Sequence, residues 1–286
     1  MRGMKRSIAL LLLGAAVALA AFSRNRLEAA APGPAGAQKE LLYLPNGKRL
    51  RAMSLGHASL AADLVYLWAI QFYSDYERKD RFRFVEHVFG SVIADLDPHY
   101  VDPYWLGAMI LTVEAGDLDA GLRLLDKGLA NNPSSWVLPY LAGFECYRAR
   151  RLDRAAEYFD RASRIPGAPA LTLRMKAGVL ARKGDLRESI RQWEDVLHDP
   201  RGDSASRAIA ERQIRDLTMR ADLGDLSAAI GAFRERHGRF PRAIDEAAQS
   251  GLLRGVPRDP DGRPYLYDPA TGRVASRAGG VLGAPR

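Results

Sequence analysis

Three related segments recur at intervals of 34 residues along the chain: GDLD at 116–119, RRLD at 150–153 and GDLR at 184–187. Small residues follow these segments at one constant offset, at Gly121, Ala155 and Ser189, and large apolar residues follow at another, at Leu125, Phe159 and Trp193. Each segment is preceded by an apolar stretch with helical spacing: Trp105–Val113, Leu138–Tyr147 and Leu171–Ala181. Two helices in every 34 residues, with a small residue where they cross and a bulky residue where they pack, predict a solenoid of helical hairpins.

These repeats resemble tetratricopeptide repeats. The second repeat matches best, through LAG at 141–143, RLDRA at 151–155 and FDRA at 159–162. The small residue that this family carries on its first helix is present as Gly143 and Ala177, but Met109 occupies the corresponding position in the first repeat. The closing proline of the family is present at Pro133 and is shifted by one position at Pro166 and Pro200.

The resemblance implies a mainly α fold, with a tetratricopeptide-like solenoid over residues 41–220. We assign its repeats to residues 102–135, 136–169 and 170–203. Two upstream helical stretches, Ser54–Tyr76 and Phe82–Leu96, are interpreted as a degenerate leading pair over residues 54–98 that caps the stack.

A short stack of this kind has one groove lined by the first helix of each pair. The family's groove positions map onto Leu106, Ile110 and Glu114 in the first repeat, Tyr140, Phe144, Tyr147 and Arg148 in the second, and Arg174 and Arg182 in the third. Aromatic rings beside guanidinium groups suit a peptide with apolar and acidic residues. The alternative is structural: the aromatic rings pack against the preceding helix pair and the arginines form an ordinary solvated face.

The N-terminal segment carries the pattern of an export signal. Arg2, Lys5 and Arg6 precede an unbroken apolar run over residues 8–22, and Arg24 and Arg26 follow it. Residues 1–26 are therefore expected to be a signal-anchor in a bacterial inner membrane, with the body of the chain in the periplasm. The alternative is a cleaved signal peptide and a soluble periplasmic protein. Residues 27–40 are rich in Pro, Gly and Ala and are typical of a linker.

The C-terminal part, residues 221–286, is expected to form a small α+β module. A helix is predicted to begin with Asp225 as its N-cap and to end at Gly238, and a shorter helix covers residues 242–249. Two short apolar segments, Tyr265–Tyr267 and Arg273–Ala275, flank the turn residues 268–272 and predict a β-hairpin. The order of these elements resembles the globular tail of major pseudopilins from type II secretion, on the following residues: Ala229-Ile230, Gly238, Phe240-Pro241, Gly251-Leu252-Leu253, Pro257, Asp259-Pro260, Gly262, Pro264-Tyr265, Tyr267 and Gly272.

That resemblance is partial. The prepilin cleavage motif and the filament-forming helix of the family are missing from residues 1–40, so a filament subunit is not expected. The Asp-rich segment of calcium-binding members is replaced by Arg277-Ala278-Gly279-Gly280. Asp259, Asp261 and Asp268 are expected to act in turns and caps; the alternative is that the three carboxylates approach one cation.

No catalytic or metal-binding motif is found in the sequence. The five histidines have no HxxxH or HExxH spacing, and GxSxG and P-loop patterns are absent. Cys146 is the only cysteine and falls inside a repeat helix, where core packing explains it. We therefore predict no enzyme, no cofactor and no metal; the alternative is an envelope enzyme, or a subunit of one, with an unrecognised site.

The charge distribution argues against nucleic acid as a partner. The net charge is +8, but residues 1–26 contribute +5 and residues 254–286 contribute +3, so the body between them is neutral. The predicted function is that of a membrane-anchored scaffold for a protein or peptide partner, in a secretion or type IV pilus-like envelope machine.

Overall fold

The structure is a computed structural model that describes residues 44–77, 81–277 and 282–283. The predicted signal-anchor at 1–26 and the linker at 27–40 lie outside these residues. Within the described ranges, none of the helices is both long and apolar enough to cross a membrane. The chain divides into two compact units, one ending at Asp97 and the other beginning at Pro98.

The first unit is helical. Helix α1 spans Gly47–Met53 and α2 spans Ala58–Tyr73. A third helical segment combines a 3₁₀ turn (Arg81–Phe84), a π-helix (Glu86–Ile93) and the short α3 (Ala94–Leu96). The two helical stretches expected at 54–76 and 82–96 are thus present, and α1 is additional. Their interpretation as the leading pair of the solenoid stays a prediction.

The second unit begins with three helical hairpins, as the 34-residue spacing predicts. The first pairs α4 (Val101–Met109, continued by a π turn over Ile110–Glu114) with α5 (Leu118–Asn131), the second α6 (Val137–Arg148) with α7 (Leu152–Arg164), and the third α8 (Ala170–Lys183) with α9 (Leu186–His198). Each of these helices packs against the next. The fold is therefore mainly α and tetratricopeptide-like.

The small and bulky positions of the repeats form its core. The ring of Phe159 packs over Gly143, where an added Cβ would lie 2.9 Å from the ring. Leu125, Phe159 and Trp193, which share one repeat position, are all buried. The small residue therefore lets the bulky ring of the second helix approach the backbone of the first helix closely.

Helix α10 (Ser204–His237) corrects the prediction that a helix begins at Asp225. It begins 34 residues after α8, at the position of a further first helix, but it continues through the place where the earlier hairpins turn. Asp225 is not an N-cap; its carboxylate pairs with Arg187 of α9. The helix stays unbroken because Leu217 packs in the core of the third repeat, whereas Leu223 and Leu226 belong to the core of the C-terminal module. The expected boundary between 220 and 221 lies inside this helix.

The C-terminal module packs on the second half of α10. It contains α11 (Ile244–Gln249) and an antiparallel hairpin of β1 (Leu266–Asp268) and β2 (Arg273–Ala275), as predicted. A third strand, β3 (Leu282–Gly283), pairs with β2 and was not predicted. Ile230, Ile244, Tyr265 and Val274 form the centre of its core.

Candidate interaction surface

The first helix of the first repeat contains one residue more than its counterpart in the third. In the third repeat, Ser189 Oγ donates a 2.7 Å hydrogen bond to the carbonyl oxygen of Ala177, twelve residues earlier. In the first repeat, the same position is Gly121, and an added Cβ would face the carbonyl oxygen of Ala108, thirteen residues earlier, at 3.1 Å. The small residue of the first helix is therefore Ala108 and not Met109.

The π turn accommodates the additional residue. The backbone N–H of Ala115 donates to the carbonyl of Ile110 at 2.9 Å, five positions back, which widens the last turn of the helix. Within this turn, Leu111 corresponds to the buried Cys146, whereas Val113 corresponds to Tyr147, the residue directly after Cys146. Thr112 is thus the added residue.

This shift corrects the groove positions of the first repeat. Ile110 is only 4% exposed and does not line an open surface. Leu106 is half-buried, and the exposed face beside it carries Trp105, which is 45% exposed. Glu114 ends the π turn and is exposed, as expected. The residue that sequence analysis missed is Trp105, and the signal for it was the small Ala108 directly before Met109.

The aromatic residues of the second repeat divide into two kinds. Tyr140 is half-buried between the ring of Trp136, at 6.0 Å, and the ring of Phe159, at 5.7 Å between centroids. Its ring therefore has a structural role, but these contacts lie within its own repeat and not against the preceding helix pair, which the structural alternative predicted. Phe144 is 37% exposed. The ring of Tyr147 lies under the Arg182 guanidinium, whose Cζ is 4.7 Å from the ring centroid.

The arginines of the predicted groove also differ in their contacts. Arg174 is half-buried and donates to Ser206 Oγ at 3.1 Å, so it joins α8 to the first turn of α10. Arg148 is exposed and pairs with Glu145 at 3.1 Å. Arg182 is exposed and stacks on Tyr147, which connects the second and third repeats.

We define the first-helix face as the exposed residues Trp105, Val113, Glu114, Phe144, Arg148 and Arg182, together with the half-buried Tyr147. Gly178 occupies the place of Phe144 in the third repeat, and an added Cβ there would have no heavy atom within 4 Å. The third repeat therefore leaves open space next to the aromatic residues. This arrangement can bury apolar side chains of a partner and bind its carboxylates.

A second concavity lies in the C-terminal module. A cleft of about 780 Å³ lies between α10 and the 252–257 segment. Asp222, at its wall, is buried and accepts a 3.0 Å hydrogen bond from Tyr265 Oη. Burial raises the pKa of this carboxyl, and the tyrosine bond opposes part of that shift. The enzyme alternative requires a cluster of buried carboxylates or histidines with shifted pKa values. Asp222 instead fastens the hairpin to α10 through its hydrogen bond with Tyr265. The absence of an enzymatic activity stays a prediction.

The three aspartates considered for a cation have protein partners. Asp259 is buried and accepts from the backbone N–H groups of Asp261, at 3.0 Å, and Arg263, at 2.8 Å. Asp261 also pairs with Arg215, and Asp268 accepts from the N–H of Ala270 at 3.0 Å. Their roles in turns are those expected. Among the described residues, no three or more Asp, Glu, His or Cys side chains are grouped closely enough to hold a metal ion.

Cys146 is fully buried in α6, as predicted for a core residue. Burial is the main cause that raises the pKa of its thiol to about 11. The thiol is therefore protonated and shielded from reagents in water.

No protein-family model matches the chain, and no curated protein matches it. Among solved structures, it is similar to YrrB, described as "a TPR protein with an unusual peptide-binding site". The sequences are 17% identical, the match covers 51% of this chain and 73% of YrrB, and the TM-score is 0.36. The assignment of a tetratricopeptide-like architecture depends on the helical hairpins themselves.

Proposed function

We propose that this protein is a repeat scaffold that binds a peptide or protein partner on the first-helix face. In this proposal, residues 8–22 anchor the chain in a bacterial inner membrane and the body lies in the periplasm. The partner belongs to a secretion or type IV pilus-like envelope machine.

The observation that carries the binding proposal is the exposure of large apolar side chains next to guanidinium groups. Trp105 and Val113 are each 45% exposed, and Phe144 is 37% exposed. Arg148 and Arg182 lie on the neighbouring helices of the same face. Exposed aromatic residues and arginines are the residue types that dominate binding energy at protein interfaces.

The anchoring proposal is supported by the apolar run at 8–22 between basic residues. The link to a secretion machine is supported by the pseudopilin-like order of the C-terminal module: a long helix, the Phe240-Pro241 turn, a short helix and a hairpin. The alternative within this proposal is a soluble periplasmic chain from which the leader has been removed.

Selection from a random dodecapeptide library, followed by fluorescence anisotropy, tests the binding surface. The double variant Phe144→Ala with Arg182→Glu is expected to bind the selected peptides with at least tenfold lower affinity, because it removes an apolar anchor and reverses a charge. Leu266→Ala, at an exposed leucine of β1, is the matched control. Tyr140 and Arg174 are unsuitable positions because both make contacts within the fold.

A second pair of variants separates binding from stability. Trp105→Ala is expected to weaken peptide binding at nearly unchanged stability, whereas Ile110→Ala is expected to lower stability at nearly unchanged affinity. In intact cells, a photoreactive residue at position 144 identifies the partner, with position 266 as the control. Peptides that bind the double variant as tightly as the wild-type chain would overturn the proposed surface.

A further inference from the structure

Helix α2 carries apolar side chains on two opposite faces. Ala62, Ala69 and Tyr73 are buried on one face. The opposite face carries Leu60, Leu64 and Leu67, which are 58%, 61% and 57% exposed, with Trp68 beside them. Positions 60, 64, 67 and 68 lie along one side of a helix, so these residues form a continuous stripe. We call them the leucine stripe.

Exposed apolar and exposed basic side chains also lie in the segment directly before α2. Leu55 and Met53, in and before the turn that leads into α2, are also strongly exposed. Lys48, Arg49 and Arg51 are exposed on α1, and this helix contains no acidic residue. The only charged residue of α2 is Asp63. An exposed apolar helix beside exposed cations is the composition of a helix that lies on an anionic lipid surface.

The length of the chain before the first unit suits the same partner. The apolar run ends at residue 22, and the described fold begins at residue 44. A random-coil chain of this length has a root-mean-square end-to-end distance of about 25 Å. An anchored chain therefore holds α1 and α2 within reach of the bilayer surface, and tryptophan beside the stripe suits the boundary between headgroups and acyl chains.

We propose that the leucine stripe inserts into the interface of an anionic bilayer, while Lys48, Arg49 and Arg51 contact lipid phosphates. Helix α2 lies in the plane of the membrane in this arrangement and does not cross it. The inference rests on the anchoring part of the proposed function, because the anchor supplies the proximity. The first unit thus adds a second membrane contact to the anchor.

Depth-dependent quenching tests the proposal with the full chain. The chain is reconstituted into phosphatidylcholine vesicles that contain 30% phosphatidylglycerol, and an environment-sensitive probe is attached to Leu64→Cys. Buried Cys146 does not react under native conditions, so the introduced thiol alone is labelled. Brominated lipids are expected to quench this probe at least twofold more than a probe on Leu266→Cys, an exposed position in β1. Leu60→Glu with Leu67→Glu is expected to abolish the difference.

Flotation of the chain with the vesicles measures membrane attachment through the anchor separately from insertion of the stripe. Leu11→Arg with Leu12→Arg disrupts the apolar run, and we expect this variant to float weakly and only at low salt, through the stripe. A wild-type chain that floats with an unquenched probe at position 64 overturns the stripe proposal alone. Strong, salt-resistant flotation of the Leu11→Arg, Leu12→Arg variant overturns the anchor alone, and a wild-type chain that does not float overturns both.

Two further outcomes would contradict the proposed lipid contacts of the stripe or of the basic residues. If Leu64→Glu converts a dimer of the full chain in detergent into a monomer, while the probe stays unquenched, the stripe is a contact between copies and the lipid proposal is wrong. If Lys48→Glu, Arg49→Glu and Arg51→Glu together leave the preference for phosphatidylglycerol over pure phosphatidylcholine unchanged, the basic residues do not contact lipid.

Discussion

Thr112 Oγ1 donates a 2.9 Å hydrogen bond to Glu145 Oε2, so the residue that the π turn adds to the first repeat links its first helix to that of the second repeat. The same carboxylate also pairs with Arg148 on the first-helix face. The added residue thereby helps to hold the two helices together. This relationship makes the π turn testable by deletion.

Deletion of Thr112 is expected to leave the protein folded. The deletion removes one hydrogen bond, worth about 1 kcal/mol, and converts the π turn into regular α-helix without changing which residues are buried on either side. Urea unfolding followed by circular dichroism measures the loss in the free energy of unfolding.

Deletion of Glu145 is the matched control, because it removes the same hydrogen bond from a helix with no added residue. This deletion rotates the rest of α6 by one position and should lower the free energy of unfolding by about 4 kcal/mol or more. Equal losses in the two deletions would mean that Thr112 is not the added residue.

The turn between the two helices of each repeat predicts a stabilising substitution. The turn residues Gly116, Arg150 and Gly184 have φ angles of 73°, 58° and 92°, in the left-handed region that favours glycine. Only the second repeat has a side chain there. Arg150→Gly is expected to raise the free energy of unfolding by about 1 kcal/mol, because the left-handed conformation penalises a Cβ.

The converse substitution provides the control for this prediction. Gly184→Arg is expected to lower the free energy of unfolding by a similar amount, since it introduces the same penalty into the third repeat. Both values come from urea midpoints at constant slope. An Arg150→Gly protein that is less stable than the wild type would indicate that the arginine side chain makes a contact worth more than the strain.

The helical hairpins could be predicted from the sequence because small and bulky residues recur at the same positions of each 34-residue repeat. Gly143 and Phe159 must meet where the helices cross, and the same pair of sizes returns 34 residues later as Ala177 and Trp193. The π turn was missed because one additional residue in a helix changes neither composition nor apolar spacing enough to be noticed. Ile110 was consequently placed on the groove although it is buried.

The C-terminal module shows a different limit of sequence reasoning. Gly224-Asp225 has the composition of a helix start, but α10 passes through it because apolar residues before and after it share one core. Strand β3 was missed because it is only two residues long and its pairing with β2 uses backbone groups. The hairpin itself was predicted from its turn, since Asp268 and Gly272 are the residue types that such a turn requires.

Gly272 is expected to be intolerant of any side chain. Its φ is 70°, and an added Cβ would lie 2.4 Å from the ring of Phe240, so substitution adds a steric clash to backbone strain. Gly262 has a φ of 77° with no heavy atom near an added Cβ, and therefore isolates the strain. Gly272→Ala is expected to cost at least about 2 kcal/mol more than Gly262→Ala. Differential scanning calorimetry measures both, and equal losses would show that Phe240 moves aside freely.

The buried Asp222 predicts a stability difference that depends on pH. Its folded-state pKa is raised above the ordinary value of 3.8, chiefly by burial, so the ionised form destabilises the fold. That cost is present above the folded-state pKa and disappears as the pH falls toward the ordinary value. Asp222→Asn, which retains an acceptor for Tyr265, is therefore expected to be more stable than the wild type at pH 7, with an advantage that shrinks toward pH 4.

The control is Asp225→Asn. The exposed carboxylate of Asp225 pairs with Arg187, so this substitution should lower the free energy of unfolding by no more than about 1 kcal/mol at pH 7. Urea unfolding at pH 7, 5.5 and 4 measures both variants, and an advantage of Asp222→Asn that stays constant over this range would exclude ionisation of Asp222 as its cause.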